Sequence, residues 1–252
     1  IQGNEITVDY SGTSNQVRAG LNCVFNYTFA YTAFPIKCVF DPETRSNDGS
    51  LRPIHVTAPL GSILNPRYGA PVGSRVITGH ILHEVIFKAL ANVLPSNVIA
   101  GCGAPGWGLS LHGINEGEPY SIQFSFGGGE GASANKNGVS CTRFPSNIAN
   151  TPIEIMELVA PVVFHRKEFI RDSGGKGKNR GGLGQVIELK FTSSSPATLS
   201  LRGDHTIKAP NGILKGKSGR RAQASLNHQK FNAKRQHTIS KGDLLKLETA
   251  GG

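Results

Sequence analysis

Long apolar runs are scarce in this sequence. No stretch of about 18 uncharged apolar residues occurs and no basic segment precedes a short apolar one, so the pattern predicts neither a membrane helix nor a secretory signal. Cysteine is also rare, and its four residues lack C-x-x-C or C-x-x-H spacing. We therefore expect a cytoplasmic protein without a membrane anchor, with four free, buried thiols in a reducing compartment: Cys23, Cys38, Cys102 and Cys141.

Familiar catalytic and nucleotide-binding motifs are missing as well. The sequence has no G-x-S-x-G and no Cys paired with His by spacing. A Walker A loop that ended at Gly216–Ser218 would need glycine where Asn211 stands. Glu154 and Glu157 follow a predicted helix start, where the helix dipole alone favours acids. We therefore predict no self-contained catalytic centre and no cofactor bound by this chain alone, and the catalytic residues stay unidentified.

The formal net charge is +10, and the excess is concentrated between Arg166 and Lys246. Its densest parts are Lys215–Arg221 and Lys230–Arg235. Nucleic-acid binding is one interpretation of this pattern. However, Phe231 is the only aromatic residue among the basic clusters, whereas single-strand binding uses interleaved aromatic side chains. We therefore favour a solvated face, or a face complementary to an acidic partner subunit, over nucleic-acid binding.

The apolar patterns predict an α+β chain, with a mixed helix and sheet N-terminal part and a β-rich C-terminal subdomain, sandwich or barrel-like. We place the boundary at the change of composition near Asp172, giving a catalytic-support domain at 1–171 and a glycine-rich loop with the β-rich subdomain at 172–252. Helices are predicted over 17–40, bent at Pro35, and over 78–94. Predicted strands are 1–10, 54–58, 120–126, 186–191, 197–201, 222–226, 237–239 and 244–248.

Other segments are predicted to be irregular or mixed. The polar stretch 45–50 and the glycine-rich stretch 100–113 are predicted loops, with Trp107 either lining a pocket or covering the core. Residues 152–163 are predicted to change from helix to strand at Pro161. A glycine loop at 174–184 precedes a predicted strand rather than a helix, which argues against a dinucleotide site.

Polar turns carry the candidate binding residues. His80 and His83 have the spacing of a metal pair, but no third ligand is evident, so we predict no metal site and a neutral His80 that hydrogen-bonds a neighbour. Amide and hydroxyl groups on turns can orient a substrate or stabilise a developing oxyanion. The predicted substrate contacts are Asp9, Ser11, Thr13, Ser14, Gln16, His80, Asn147, Asn150, Thr151 and Arg180.

Several longer motifs occur in order along the chain. They are DYSGTSNQ at 9–16, RPIHVTAPLGSILNP at 52–66, TGH at 78–80, FGGGEGA at 126–132, SNIANTPIE at 146–154 and DSGGKGKNRGGLGQ at 172–185. Together they resemble the B subunit of the hydantoinase/oxoprolinase family, from about Val8 to Gly251.

The resemblance implies an ATP-dependent hydrolase that opens cyclic amides such as 5-oxoproline, hydantoins or lactams. It implies a hetero-oligomer with an actin-like ATPase A subunit, and ATP and a divalent metal for the full complex. The family's metal-binding motifs lie in an N-terminal half that has no counterpart here, so no metal ligand is carried over. We expect this chain to be the C-terminal half of a B subunit whose N-terminal half is on another chain or missing. A ketone carboxylase subunit and a non-catalytic scaffold are the alternatives.

Overall fold

The computed structural model describes residues 1–252 and contains two compact units, Ile1–Val98 and Ile99–Gly252. Four helices and several sheets make the chain α+β, as the sequence predicts. The boundary predicted near Asp172 differs from this division. It falls inside the second unit, where the strands on either side of it pair with each other, because the change of composition there marks a glycine loop and not a break in packing.

The first unit packs a small sheet against helices. Strands β1 (Ile6–Asp9) and β2 (Ile54–Thr57) are parallel and in register. The helices are α1 (Phe25–Phe40), α2 (Asp48–Leu51) and α3 (Arg75–Leu90). Side chains of α1, α3 and both strands form one apolar cluster with Ala33, Ile36, Ile54 and Ile86 at its centre.

The helix boundaries differ from the predicted ones. The predicted helix over 17–40 begins only at Phe25, because the Asn22 side chain hydrogen-bonds the backbone of Val17 and holds the preceding residues in an irregular turn. Pro35 lies within α1 and does not end it. The second predicted helix begins at Arg75 instead of Thr78, and Thr78 donates to the Leu21 carbonyl at 2.7 Å. A short helix, α2, replaces part of the loop predicted at 45–50 because Asn47 caps it.

The second unit consists of two antiparallel sheets over a shared core. The bounds of its elements are β3 (Trp107–Asn115), β4 (Glu118–Phe126), α4 (Ile153–Val159), β5 (Val162–Phe169), β6 (Gln185–Phe191), β7 (Ala197–Arg202), β8 (Gln223–Leu226), β9 (Gln229–Lys230), β10 (His237–Ile239) and β11 (Leu244–Glu248). Strands β10, β7, β3 and β4 form one sheet, and β5, β6, β11, β8 and β9 form the other. Apolar residues of both sheets meet in a single cluster, which agrees with the sandwich alternative, and neither sheet closes into a barrel.

The prediction of a loop over 100–113 was wrong in its second half. Strand β3 begins at Trp107 and lies between β4 and β7 in the sheet. The Trp107 indole is buried and donates to the Glu248 carbonyl at 2.9 Å. Trp107 therefore belongs to the core and does not line a pocket.

Glycine backbones cross one another at the edge of this core. Gly182 donates to the Glu130 carbonyl at 2.8 Å and accepts from the Gly252 amide at 2.9 Å. Gly129 donates to the Ala250 carbonyl at 3.0 Å. A β-carbon on Gly129 would lie 1.9 Å from the Gly182 carbonyl oxygen. These segments approach so closely that only glycine fits between them.

Two further predictions concern cysteine and the membrane. None of the four cysteines forms a disulfide; three are buried as expected, but Cys38 is exposed. Cys38 lies on α1, and the burial prediction fails there because its side chain is on the solvent side of that helix. No helix has both the length and the apolar character needed to cross a membrane.

Candidate functional site

An exposed polar turn, Ser146–Pro152, connects the glycine-rich region to α4. Arg143 holds its beginning. The Arg143 carbonyl accepts hydrogen bonds from the Asn147 amide at 2.8 Å and from the Ser146 hydroxyl at 2.9 Å. The buried Arg143 guanidinium donates through Nε to the Pro105 carbonyl at 2.8 Å. Asn147 has a left-handed φ of 49° and is exposed to solvent, so its side-chain amide is available to a ligand.

Asn150 is held by the core beneath the turn. Its Nδ2 donates to the Cys141 carbonyl at 3.2 Å, and its Oδ1 accepts from Gln185 Nε2 at 3.1 Å. Gln185 is buried, and the same Nε2 donates to the Gly127 carbonyl at 2.9 Å. The Gln185 backbone also pairs with Thr249. Gln185 thus joins the turn to a glycine loop and to the chain after β11, and these contacts indicate that Asn150 holds the shape of the turn.

Lys167 supports the end of the turn. Its Nζ donates to the Thr151 carbonyl at 2.6 Å, while Thr151 itself is exposed. Partial burial lowers the pKa of Lys167 from its ordinary value, and the nearby Cys141 and Glu154 oppose that shift. Burial raises the pKa of the Cys141 thiol to about 12. Cys141 is therefore a protonated, unreactive residue beneath the turn at neutral pH.

The loop Asp9–Gln16 in the first unit carries five predicted contacts. Asp9 Oδ1 accepts from the Ser11 amide at 2.9 Å, from the Ser11 hydroxyl at 2.8 Å and from Thr57 Oγ1 at 3.1 Å. These hydrogen bonds, led by the Ser11 hydroxyl, lower the pKa of Asp9 below its ordinary value. One carboxylate oxygen of Asp9 thus shapes the loop.

The rest of this loop is fixed mainly through its backbone. The Ser14 carbonyl accepts from the Ile63 amide at 2.9 Å, and the Thr13 amide donates to the Tyr10 carbonyl at 3.1 Å. Gln16 Oε1 accepts from the Arg67 amide at 2.8 Å. The side chains of Ser11 and Ser14 are exposed, so the loop presents hydroxyl groups on a fixed backbone.

His80 does not lie at the surface. It is buried on α3, and its ring centroid is 5.3 Å from that of Tyr31. Tyr31 and Tyr10 both pack against the cluster around Cys23. His80 is therefore a core residue beside an aromatic ring, and direct contact with a substrate would require a path through buried side chains.

Arg180 is engaged at the surface of the second unit. Its guanidinium pairs with Asp172, and its amide donates to Asn137 Oδ1 at 2.7 Å. Both partners of the ion pair are largely exposed, so the pair is weak and can exchange for another anion. The structure thus brings Asn147, Asn150 and Thr151 together on one turn, with Arg180 on a separate loop.

The glycine loop at 174–184 has little capacity to hold a phosphate. The Gly175 amide donates to the Gly252 carbonyl at 2.7 Å, the Gly181 amide to the Gly175 carbonyl at 3.0 Å, and the Gly184 amide to Ser173 Oγ at 2.9 Å. A phosphate cradle requires such N–H groups to point at the ligand. These glycines instead allow backbone segments to pack against each other.

The chain also gathers no metal-ligand set. No group of three or more His, Cys, Asp or Glu side chains lies together, so the residues of this chain do not fit the divalent metal implied for the complex. A groove of about 490 Å³ lies along β5, and four of its five charged side chains form two ion pairs. Arg166 pairs with Glu168 there, and Arg220 pairs with Glu248.

Three supporting residues were missed by the sequence interpretation: Arg143, Lys167 and Gln185. Gln185 closes the motif DSGGKGKNRGGLGQ, and its place at the end of a glycine run was a usable signal. Arg143 lies 3 residues before Ser146, which it contacts, and Lys167 lies 16 residues after Thr151, which it contacts. No sequence pattern marks either residue as a support of the turn.

Comparison with known proteins gives a consistent family. The family model for hydantoinase B/oxoprolinase matches residues 1–252. An uncharacterised protein of Methanocaldococcus jannaschii is 34% identical over 258 residues, which is 100% of this chain and 45% of that protein. The 5-oxoprolinase 1 of Arabidopsis thaliana is 28% identical over 256 residues, covering 98% of this chain and 19% of the plant protein. The chain therefore spans less than half the length of these relatives.

Two solved structures share the fold. An ATP-dependent caprolactamase from Pseudomonas jessenii superposes with a TM-score of 0.87 at 22% identity, covering 100% of this chain and 46% of the caprolactamase chain. An acetone carboxylase chain gives a TM-score of 0.80 at 18% identity, and the match covers 98% of this chain and 39% of the carboxylase chain. At these identities the likeness establishes the α+β fold.

Proposed function

The chain belongs to the hydantoinase B/oxoprolinase family, and from that premise we propose that it forms the C-terminal half of a B subunit in an ATP-dependent cyclic-amide hydrolase. The substrate class would be a hydantoin, 5-oxoproline or a lactam. An ATP-using A subunit would supply the activated amide, and this chain would act only within the assembly. The relatives named as 5-oxoprolinase and caprolactamase support the reaction class.

The observation that carries the proposal is the turn Ser146–Pro152. Its residues are exposed, while Arg143 and Lys167 hold its backbone and Gln185 holds the Asn150 side chain. A solvent-facing side-chain amide on a fixed turn can donate to the oxygen on which negative charge develops when water adds to an activated amide. We assign that contact to the Asn147 side-chain amide, with the Thr151 hydroxyl on the same turn, and we assign Asn150 a positioning role.

The loop Asp9–Gln16 is proposed as a second contact region. Ser11, Thr13 and Ser14 offer hydroxyl groups, and Asp9 and Gln16 keep the loop in shape through their hydrogen bonds. Arg180 is proposed to attract the anionic activated substrate in exchange for Asp172. His80 is buried on α3, and we propose that it supports the packing of α3 against Tyr31 and does not touch the substrate.

The test compares ring opening by the reconstituted assembly that contains the parent chain with ring opening by the assembly that contains Asn147→Ala. The chain is co-expressed with the remaining B-subunit half and the A subunit, and ATP-dependent opening of 5-oxoproline, hydantoin and a lactam is measured. Loss of one oxyanion donor lowers kcat by roughly 10²- to 10³-fold. Asn135→Ala is the matched control, because Asn135 is an exposed asparagine outside the turn. Unchanged kcat in Asn147→Ala would instead support a non-catalytic scaffold.

A ketone carboxylase subunit is the second candidate, favoured by the fold shared with acetone carboxylase. The two candidates differ in their products. Hydrolysis consumes water and gives an open-chain amino acid, whereas carboxylation incorporates labelled bicarbonate into a ketone. Supplying both kinds of substrate to the same assembly separates them.

A further inference from the structure

The helix α4 exposes apolar side chains on one side. Ile155, Leu158 and Val159 are spaced i, i+3 and i+4, so they lie on the same face, and their exposed fractions are 50%, 81% and 50%. Only Met156 of this helix is buried. Ile148 on the preceding turn is 52% exposed. We call Ile148, Ile155, Leu158 and Val159 the α4 face.

Few charges lie within the segment that carries the α4 face, although Lys167 of β5 reaches the Thr151 carbonyl beside it. Between Ser146 and Val159 the only ionisable side chains are Glu154 and Glu157. Glu157 is occupied, since its Oε1 accepts from the Phe164 amide at 2.6 Å. Apolar contacts that are depleted of charge characterise permanent interfaces, which resemble a domain core cut in two. The face is therefore built for a lasting contact and not for a transient encounter.

The lengths of the relatives indicate what covers this face. The chain accounts for 45% of the Methanocaldococcus protein and 46% of the caprolactamase chain. More than half of each related polypeptide therefore lies outside the part that this chain matches. We propose that the α4 face is the docking surface for the remainder of the B-subunit polypeptide, whether it is continuous with this chain or a separate one. The identity of the occupant rests on the proposed function.

This contact would also link docking to the candidate site. The turn Ser146–Pro152 leads directly into α4, so a partner seated on Ile155 and Leu158 would border the exposed Asn147 amide. Docking would then remove water from one side of the turn, which strengthens its hydrogen bonds to a ligand. The same polypeptide would complete both the interface and the site.

Site-specific photocrosslinking in the native assembly tests the proposal. p-Benzoylphenylalanine replaces Leu158, the assembly is purified and irradiated, and the cross-linked peptides are sequenced by mass spectrometry. We expect peptides from the part of the B-subunit polypeptide outside the 252 residues described here. The matched control places the crosslinker at Ile207, which is 73% exposed in a loop of the same unit, and should not give these peptides.

A variant gives a second measurement. When the remainder of the B subunit is supplied as a separate polypeptide, Leu158→Asp should weaken its retention by at least about tenfold, because a buried leucine contact is lost and a charge is buried in its place. The melting temperature of the isolated chain should stay unchanged, since Leu158 is 81% exposed in it. Ile207→Asp should leave retention unchanged.

Several results would overturn the proposal. They are cross-links to a second copy of this chain, to the A subunit or to another protein, the absence of any cross-link, and full retention in Leu158→Asp. These outcomes are independent of turnover. An assembly that cross-links as expected but opens no cyclic amide would refute the proposed function and leave the docking surface in place.

Discussion

Replacing Gly182 by alanine would test the close packing of glycine backbones in the second unit. An added β-carbon would lie 2.1 Å from the Val139 carbonyl oxygen and 2.5 Å from its carbon. Real β-carbons essentially never come within 3.0 Å of such atoms. Because both neighbours are backbone atoms, no side chain can rotate away, and one segment must move by about 1 Å.

The expected cost follows from what this movement breaks. Overpacking a rigid site costs about 1–3 kcal/mol. Two hydrogen bonds would also be weakened: the Gly182 amide donates to the Glu130 carbonyl at 2.8 Å, and the Gly252 amide donates to the Gly182 carbonyl at 2.9 Å. Each contributes about 1 kcal/mol. Alanine also lowers the conformational entropy of the unfolded chain relative to glycine, which offsets about 0.4–1 kcal/mol of the loss in stability. The net loss in the free energy of unfolding is about 2–5 kcal/mol, which lowers Tm by roughly 4–18 °C in a chain of this size.

Calorimetry on the isolated chain measures this loss, with Gly108→Ala as the control. A β-carbon on Gly108 would meet its nearest atom, Arg202 Cβ, at 3.6 Å, an ordinary contact. Gly108 is in strand β3 of the same unit, and its variant should melt within about 2 °C of the parent. Equal melting temperatures for the two variants would show that the glycine segments tolerate a side chain and that the close approach is not required.

Two further predictions concern titration and thiol chemistry. Hydrogen bonds from Ser11 and Thr57 lower the pKa of Asp9, so its stabilising contribution is present above its ordinary pKa and is lost as pH falls through the lowered one. Below about pH 4, Tm should therefore fall more steeply in the parent than in Asp9→Asn, and a difference independent of pH would contradict this. In a native thiol titration at neutral pH, Cys38 should react before the others because it is exposed, although partial burial raises the pKa of its thiol, whereas Cys141 should react only after unfolding; labelling of the folded chain that persists in Cys38→Ser would contradict the burial of the others.

Periodicity predicted the strands of the second unit well because they face one core. In β7 every second residue is buried, and β11 has the same alternation. Ala197–Leu201 and Leu244–Glu248 were therefore identified nearly to the residue. Alternation of this kind is a local property, since one face of each strand meets the core and the other does not.

Strand β3 was missed because its sequence does not show what buries it. Gly108 and Gly113 lie within the strand, and glycine normally argues against a strand interior. In the structure the Ala197 side chain and Tyr120 occupy the space over Gly113. Close contacts from neighbouring strands thus compensate for the missing side chain, and one of them, Ala197, is distant in sequence.

In the candidate site, too, the local feature was predicted from the sequence and the long-range contacts were not. The Ser146–Thr151 turn was predicted from Asn, Thr and Pro, whose side chains favour turns over short ranges. Its supports lie farther along the chain: Gln185 reaches Asn150 across 35 residues. His80 was predicted as a contact from its place in a helix, but its burial beside Tyr31 depends on how α1 packs against α3. Local polarity identifies the turn, and only tertiary packing shows which side chains remain exposed.

The basic C-terminal region can be interpreted further through Phe231. This residue is the only aromatic among the basic clusters, and it packs against the core with its ring 4.7 Å from that of His237. A nucleobase needs an open aromatic face on which to stack, and the Phe231 side chain is partly buried against the core. Arg220 and Lys246 are paired with Glu248 and Glu188 on the neighbouring strands. The positive charge there is partly neutralised within the sheet, which favours a solvated or subunit-facing surface over a nucleic-acid platform.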